Sequence, residues 1–515
     1  MEAPQETESL TLRRGTTILL GLAVAGPAVV PVALTLMALK LSQSGRISAA
    51  DAGVPQAAWG LGLTATMLVA GYATDKLGAR RTFTLGLIAG IVGSVLTATL
   101  AYPAVVVGML VIGASQGLLA MSSMGAIARF AAGRTVRAYA GYGVVTALAS
   151  GAVGVVAGVV VSSGWLHVAP LLSLPLLAVG AVGGVRLPRR AALIQAQAKG
   201  SDLGGAFLGV GAAVLLVLAT NAFIGAGSPL TATAMLVTGV GVIALLVWWE
   251  RRQPAPVLDL SLLRQRTMVL LIMIGSLSAF GLAGTYMIVT QYSEFVLGAS
   301  GTGTGVFIAA TFLAGALASW ASAPLMSAWG PRTLLAAATG GAALTCVASV
   351  LLVDSAPRIF PLVAITVVTF GLGLLVAPTR SMIADFLPAS AVGRGFGLFS
   401  TIRRFVQVIG VIVMVQVFTG TLPDQLQDSL RTAGISMQGE QGTATTGKAL
   451  QMRVDMATRL TPEQQLRFVE AQRLGFIEAQ QLAIGIDAAV LVGAALLSLA
   501  LPRRPKAPTP DAPDT

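Results

Sequence analysis

Acidic side chains within or beside long apolar stretches are the groups in this chain best suited to chemistry. Asp75 directly follows one apolar run, Glu294 separates two others, and Asp487 interrupts the last. A charge in the middle of a membrane span is unfavourable by roughly 2.5–3.5 kcal/mol, so each carboxylate calls for a functional explanation. Two functions suit a carboxylate in such a place: proton binding, and a charged contact that controls how two helices pack.

Other kinds of chemistry lack the residues they need. Cys346 is the single cysteine and His167 the single histidine, which leaves no disulfide and too few ligands for a His/Cys metal site. The sequence also contains no Walker A loop for nucleotides, no HExxH motif and no plausible nucleophile–base pair. We therefore predict a protein that is not an enzyme and that uses no metal or cofactor.

The composition indicates an integral membrane protein. Charged residues are 10% of the 515 residues, hydrophobic residues are 55%, and the mean hydropathy is +0.82. A typical soluble domain has about 25% charged residues, so a soluble enzyme, a secreted scaffold and a disordered protein are excluded. The net charge of +12 does not predict nucleic-acid binding, because the basic residues are dispersed among apolar segments.

The apolar runs predict fourteen membrane helices, because one span needs about 20 apolar residues. The runs that hold one helix each are 15–39, 52–74, 267–293, 295–331, 333–353, 359–379 and 405–423, the last beginning near Gly395. The runs that hold two are 82–128, 138–185 and 203–249, and 479–502 holds the final helix. We expect six-helix bundles at 15–185 and 253–501, joined by a linker, 186–252, that contains two inserted helices.

The basic residues predict the orientation of these helices. They collect in alternate loops and in the tails 1–14 and 502–515, which places both termini in the cytoplasm. This is typical of a multi-pass protein of the plasma (inner) membrane. Richness in Ala, Gly, Val and Leu with few Lys favours a bacterial source. The Pro-rich tail 502–515 is expected to be disordered.

One long segment, 424–475, is expected outside the cell. Its six basic residues lie beside six acidic ones, and long loops are translocated regardless of charge. Thr461 and Pro462 are typical of a helix start, and Glu463 and Arg467 have i, i+4 spacing. We expect an amphipathic helix that runs into the last span. It serves either as a structural cap or as the binding site of an extracytoplasmic partner.

The loop after the second helix resembles a family signature. It reads GYATDKLGARR from Gly71 to Arg81, with Asp75 and Gly78 at its centre. This is similar to the G-x-L-x-D-R-x-G-R-R loop of the major facilitator superfamily, except at Ala79. A second copy, APLMSAWGPR at 323–332, aligns its glycine and arginine with Gly78 and Arg80. Internal duplication of this kind is common in secondary transporters.

This resemblance implies a conformational gate made of Asp75, Arg80, Gly71, Gly78 and Arg403. Asp75 would cap the start of a helix in the other half and pair with Arg80, while Arg403 or the adjacent Arg404 is a second potential partner. A charge that only sets loop topology is the alternative.

Further motifs resemble the fourteen-helix branch of the superfamily, in which drug:proton antiporters dominate. They include the DLGG sequence that opens the first inserted helix, the ERR connector that ends the second, and STIRRF at 400–405. The coupling motifs depart from the branch, since Gly26 stands where it has an acid and Gly113 where it has an arginine. Proton coupling is therefore assigned to Glu294 or Asp487. Alternatively, Glu294 is an exposed glutamate at the membrane interface, and Asp487 makes only a local hydrogen bond or a contact between helices.

Polar residues of the second and fourth helices are candidates for the substrate cavity. They are Gln116, Ser115 and Trp59. The alternative to a role in substrate binding is that these residues only pack between helices. The expected function is secondary active export of amphipathic small molecules by alternating access, coupled to protons. The alternative is a lipid or cell-envelope transporter or flippase, or a membrane scaffold. The expected partners are such substrates, protons and membrane lipids, without nucleic acid.

Overall fold

The computed structural model describes most of the chain with thirteen α-helices. The described residues are 14–43, 54–131, 134–187, 202–224, 228–253, 258, 260–283, 292–293, 297, 301–352, 357, 359–387, 392–432 and 462–502. The helices are α1 (Arg14–Gln43), α2 (Val54–Leu77), α3 (Ala79–Ala98), α4 (Tyr102–Phe130), α5 (Thr135–Ser162), α6 (Ser173–Arg186), α7 (Leu203–Ile224), α8 (Pro229–Glu250), α9 (Arg266–Ala283), α10 (Gly301–Leu352), α11 (Phe360–Phe386), α12 (Val392–Thr432) and α13 (Pro462–Leu499). Short 3₁₀ turns, Pro170–Leu172 and Leu260–Arg264, precede α6 and α9.

Helix packing separates the chain into two bundles and an inserted pair. In the first half α1 packs on α4, α5 and α6, while α4 packs on α2 and α3. In the second half α10 packs on α11 and α13, and α9 packs on α11, α12 and α13. The halves meet where α5 packs on α10 and α2 packs on α12. Helices α7 and α8 pack on each other, and α7 also contacts α2 and α12. This all-α arrangement confirms the predicted fold, with two bundles and two additional helices.

The outer surface of the bundles is apolar, as a lipid environment requires. Phe207, Leu230 and Leu344 are 79%, 78% and 71% exposed. Within the described residues, nine helices are long and apolar enough to cross a membrane, and α7 and α9 contain shorter apolar stretches. These findings are consistent with fourteen spans without establishing the count.

Two glycines mark the repeated turn in the two halves. Gly78 separates α2 from α3 with φ 87° and ψ 151°, and Gly330 interrupts α10 with φ 76° and ψ 163°. Side chains with a Cβ rarely adopt positive φ, so glycine suits both turns. The same backbone geometry at the two aligned positions supports the internal duplication, and Gly330 divides α10 into the two predicted helices.

The last helix begins where the sequence predicts. Helix α13 starts at Pro462 and continues without interruption to Leu499, and Arg467 donates a 2.8 Å hydrogen bond to Glu463 within its first turns. Helix α12 continues to Thr432, so both ends of the segment 424–475 extend neighbouring helices. Its central part lies outside the described residues, as do Glu294, residues 1–13 and residues 503–515.

Candidate functional site

The last turn of α2 brings Asp75 to the N-terminus of α12. The backbone N–H of Gly393 donates to Asp75 Oδ1 at 2.9 Å, and that of Arg394 donates to Oδ2 at 2.8 Å. The first N–H groups of a helix have no intrahelical acceptor and carry partial positive charge, which a carboxylate satisfies. Asp75 thus joins the two halves through the helix-capping contact expected from the sequence.

The charged partners of Asp75 differ from those expected. Arg129 of α4 forms an ion pair with Asp75, and Arg394 Nε lies 3.8 Å from its Oδ2. The side chains of Asp75 and Arg129 are only 8% and 7% exposed. Burial raises the pKa of Asp75, which lies beyond the apolar run of α2, while Arg129 and the two amides oppose this rise.

The expected pairing of Asp75 with Arg80 or Arg403 is therefore wrong among the described residues. Arg80 follows the turn at Gly78 and belongs to α3, so it lies outside the contact between α2 and α12. Arg403 lies nine residues further into α12 than Arg394. The partner that sequence analysis missed, Arg129, is 54 residues from Asp75 and reaches it because α4 packs along α2.

Glycines let α2 and α12 cross in backbone contact beside Asp75. A Cβ on Gly71 would overlap with the carbonyl oxygen of Gly393 and lie 3.0 Å from Gly397 Cα. A Cβ on Gly393 would overlap in turn with the Gly71 carbonyl. Only glycine permits this approach. We call this end of the molecule the Asp75 end.

A second contact between the halves lies at the Asp75 end. Thr135, at the start of α5, shares a 2.8 Å hydrogen bond with Ser381 of α11. The ring of Tyr139, one turn further along α5, packs 6.0 Å from that of Phe396 in α12, and Tyr139 is fully buried. The two bundles are therefore in close contact at this end.

Further along α2, Trp59 and Gln116 form a polar contact that includes a residue of the other half. Trp59 Nε1 donates to Gln116 Oε1 at 2.9 Å. The Arg404 guanidinium of α12 lies 5.4 Å from the Trp59 ring centre, and its Nε is 3.4 Å from Thr64 Oγ1. Trp59 and Gln116 are half-buried. Of the three predicted cavity residues, Trp59 therefore lies at the interface between the bundles, and Gln116 is hydrogen-bonded to it.

Ser115, the third predicted cavity residue, does not share this location. Its side chain is fully buried, and its Oγ donates to the Gly86 carbonyl of α3 at 2.7 Å. It joins two helices of the same bundle, so its assignment to the cavity is wrong. Adjacent residues of α4 face in different directions, which separates Ser115 from Gln116.

The glycine that replaces the coupling arginine lies at another tight crossing. A Cβ on Gly113 would overlap with the Trp59 carbonyl and lie 2.7 Å from the Leu63 amide nitrogen. An arginine has no room there unless α2 and α4 separate. The departure from the family motif is thus built into the packing of the first bundle.

Asp487 lies inside the second bundle. It is 5% exposed, and its Oδ1 has no hydrogen-bond partner among the described residues. A cavity of about 20 Å³ beside it is lined by Gly281, Thr345, Cys346, Ser349 and neighbouring apolar side chains. This volume accommodates one water molecule. Glu294, the other acid considered for coupling, lies outside the described residues.

Two helical bundles that expose apolar side chains outward and meet through a charged contact define a multi-pass membrane transporter. Residues 16–411 match the family model described as Major Facilitator Superfamily. This match covers more than half of the chain, and the chain belongs to the major facilitator superfamily. It is accordingly a transporter and not an enzyme.

Individual relatives are more distant. The multidrug resistance protein Stp of Mycobacterium tuberculosis is 29% identical over 46% of this chain and 44% of its own length, so the match spans less than half of that protein. The riboflavin transporter RibZ of Clostridioides difficile is 24% identical over 71% of this chain and 79% of its own. The proton:xylose symporter XylE shares the fold, with a TM-score of 0.59 at 13% identity over 93% of this chain and 94% of its own.

Proposed function

We propose that the chain is a secondary active exporter of amphipathic small molecules that works by alternating access. The observation that carries this proposal is the Asp75 contact, in which one carboxylate joins α2 and α4 of one bundle to the start of α12 in the other. Such a contact stabilises one access state and must break in the other. The similarity to Stp, a multidrug resistance protein, supports export of small molecules.

In this proposal the Asp75 end faces the cytoplasm of a bacterial cell and the protein lies in its inner membrane. The Asp75 contact then closes the cytoplasmic entrance, and the substrate leaves on the opposite side. Gly71 contributes by permitting the close crossing, and Gly78 by forming the turn that follows. Trp59 and Gln116, which lie between the bundles, contact the apolar part of the substrate.

Proton coupling belongs to the same proposal. Gly26 stands where the family has its acid, and Gly113 leaves no space for its arginine, so a coupling acid must lie elsewhere. Asp487 suits this task because it is buried beside a cavity large enough for one water molecule, through which a proton could be exchanged. Glu294 is the second acid proposed for coupling.

Transport by purified protein in proteoliposomes tests the proposal. We expect efflux of several amphipathic compounds under an imposed pH gradient, with proton release when substrate is added. Asp75→Asn should abolish this efflux, while Arg467→Gln, on an exposed part of α13, should not. Lipid that co-purifies with the protein, together with no flux of any compound and no proton response, would instead favour a flippase or a scaffold that binds a partner through 424–475.

A further inference from the structure

Three arginines of the second bundle have no acidic partner among the described residues, and two of them, Arg380 and Arg404, lie beside aromatic rings of the first bundle. Arg380 belongs to α11, and Arg403 and Arg404 are consecutive residues of α12. All three are half-buried. Among the described residues none of them forms an ion pair; Asp385, five residues after Arg380, lies at the exposed end of α11.

Neutral groups satisfy these arginines only in part. Arg404 donates to Gln407 Oε1 at 2.8 Å and to Thr64 Oγ1 at 3.4 Å, and the Arg380 guanidinium lies 5.9 Å from the Tyr142 ring centre. A guanidinium carries five N–H donors. Arg403 has no hydrogen bond to another described residue, so its donors remain available to a ligand.

The arginines extend from the Asp75 end towards the middle of the membrane. At a rise of 1.5 Å per residue, Arg403 and Arg404 lie roughly 15 Å along α12 from Gly393, which is about half of a 30 Å hydrocarbon layer. Arg380 lies six residues before the end of α11, about 9 Å from it. Their positive charges therefore lie at depths between the Asp75 end and the middle of the membrane.

An uncompensated group of partly buried cations is unfavourable, because the charges repel each other and lose hydration. Such a group becomes favourable when a ligand supplies negative charge. Arginine is suited to this, since its planar guanidinium binds carboxylate, sulfonate or phosphate groups through paired hydrogen bonds. Trp59, beside Arg404, offers an aromatic surface to the apolar part of the same ligand.

We propose that the substrate of this exporter is an amphipathic organic anion whose acidic group binds among Arg380, Arg403 and Arg404. This inference rests on the proposed export function and narrows its amphipathic substrates to anions. It also fits the absence of the family's coupling residues at Gly26 and Gly113. A potential of 100 mV, negative inside, drives a single negative charge outward by a concentration ratio of roughly 50.

Two fluorescent probes with the same rings test this inference. The anion 1-anilinonaphthalene-8-sulfonate carries a sulfonate that N-phenyl-1-naphthylamine lacks. Affinity is measured in detergent from the rise in unfolding temperature with probe concentration, followed by tryptophan fluorescence. We expect the sulfonate to bind at least tenfold more tightly than the amine. Arg403→Gln and Arg404→Gln should remove most of that difference without changing the affinity for the amine, and Arg467→Gln serves as the surface control.

Transport measurements in proteoliposomes distinguish a wrong substrate class from a wrong export function. We expect proteoliposomes to transport the sulfonate faster when a potassium gradient with valinomycin drives negative charge through the protein. If the amine or cationic ethidium is transported and the sulfonate is not, the exporter stands and the anion inference is overturned. If no probe is transported and labelled lipid is flipped, the export function itself fails. Equal affinity of the two probes for the wild-type protein overturns the inference without any variant.

Discussion

Replacing Asp75 by asparagine should open the Asp75 end of the transporter. The substitution keeps the size of the side chain and removes its charge. One amide oxygen can still accept a hydrogen bond from Gly393 or Arg394, but the amide NH₂ then faces the remaining donor. Arg129, which is 7% exposed, loses its counter-ion at the same time.

The free-energy cost of Asp75→Asn follows from the burial of the ion pair between Asp75 and Arg129. Removing one partner of a buried pair costs about 3–5 kcal/mol, because the other charge stays buried and uncompensated. The contact exists only while α2 and α12 are together, so this cost applies to the closed state of the Asp75 end. At 1.4 kcal/mol per factor of ten, a loss of about 3 kcal/mol changes the ratio of closed to open molecules more than 100-fold.

Spin labels on the two bundles measure this ratio. Arg81 and Asp385 are exposed and lie at the Asp75 end of different bundles, and Cys346 is replaced by serine so that only the added cysteines are labelled. In the parent protein we expect a single short distance. Asp75→Asn should make a longer distance predominate and should abolish efflux in proteoliposomes, while the protein remains folded.

Two further variants test whether the ion pair between Asp75 and Arg129 holds the Asp75 end closed. Arg129→Gln should shift the distances in the same direction, and its effect should not add to that of Asp75→Asn, because the two residues form one contact. Arg80→Gln should leave the distances unchanged, since Arg80 is not an ion-pair partner of Asp75 among the described residues. Wild-type distances and transport in Asp75→Asn would show that the residue only sets the charge of its loop.

The remaining predictions concern the crossing, the buried acid and the topology. Gly71→Ala should also favour the longer spin-label distance, because its Cβ overlaps with α12 and overpacking costs about 1–3 kcal/mol; an unchanged distance would contradict the tight crossing. Asp487→Asn should remove the dependence of efflux on pH, and an unchanged pH profile would exclude Asp487 as the coupling acid. Cysteines at position 440 should react with an impermeant reagent from outside and those at 195 and 508 only from inside, and the opposite pattern at any of them would overturn the orientation.

Much of the architecture can be read from the sequence, because membrane spans and turns depend on local chemistry. The length of an apolar run is set by the thickness of the hydrocarbon layer. Gly78 and Gly330 mark the repeated turn in the sequence, because glycine readily adopts the positive φ found there. The helix start at Pro462 depends on residues next to each other in the chain. Even the contact of Asp75 with a helix start was predictable, from the family loop and the helix dipole.

Tertiary structure alone decides which side chains meet. A membrane helix is apolar on every side, since lipid and protein interior are equally apolar, so its sequence does not say which side faces a neighbour. Ser115 therefore turned out to face α3, and Asp75 to pair with Arg129. The amide of Gly393 is 318 residues from Asp75, and Arg404 meets Thr64 across 340 residues. Only the packing of one bundle against the other brings such distant groups together, and this packing places Trp59 of the first bundle beside Arg404 at the proposed anion site.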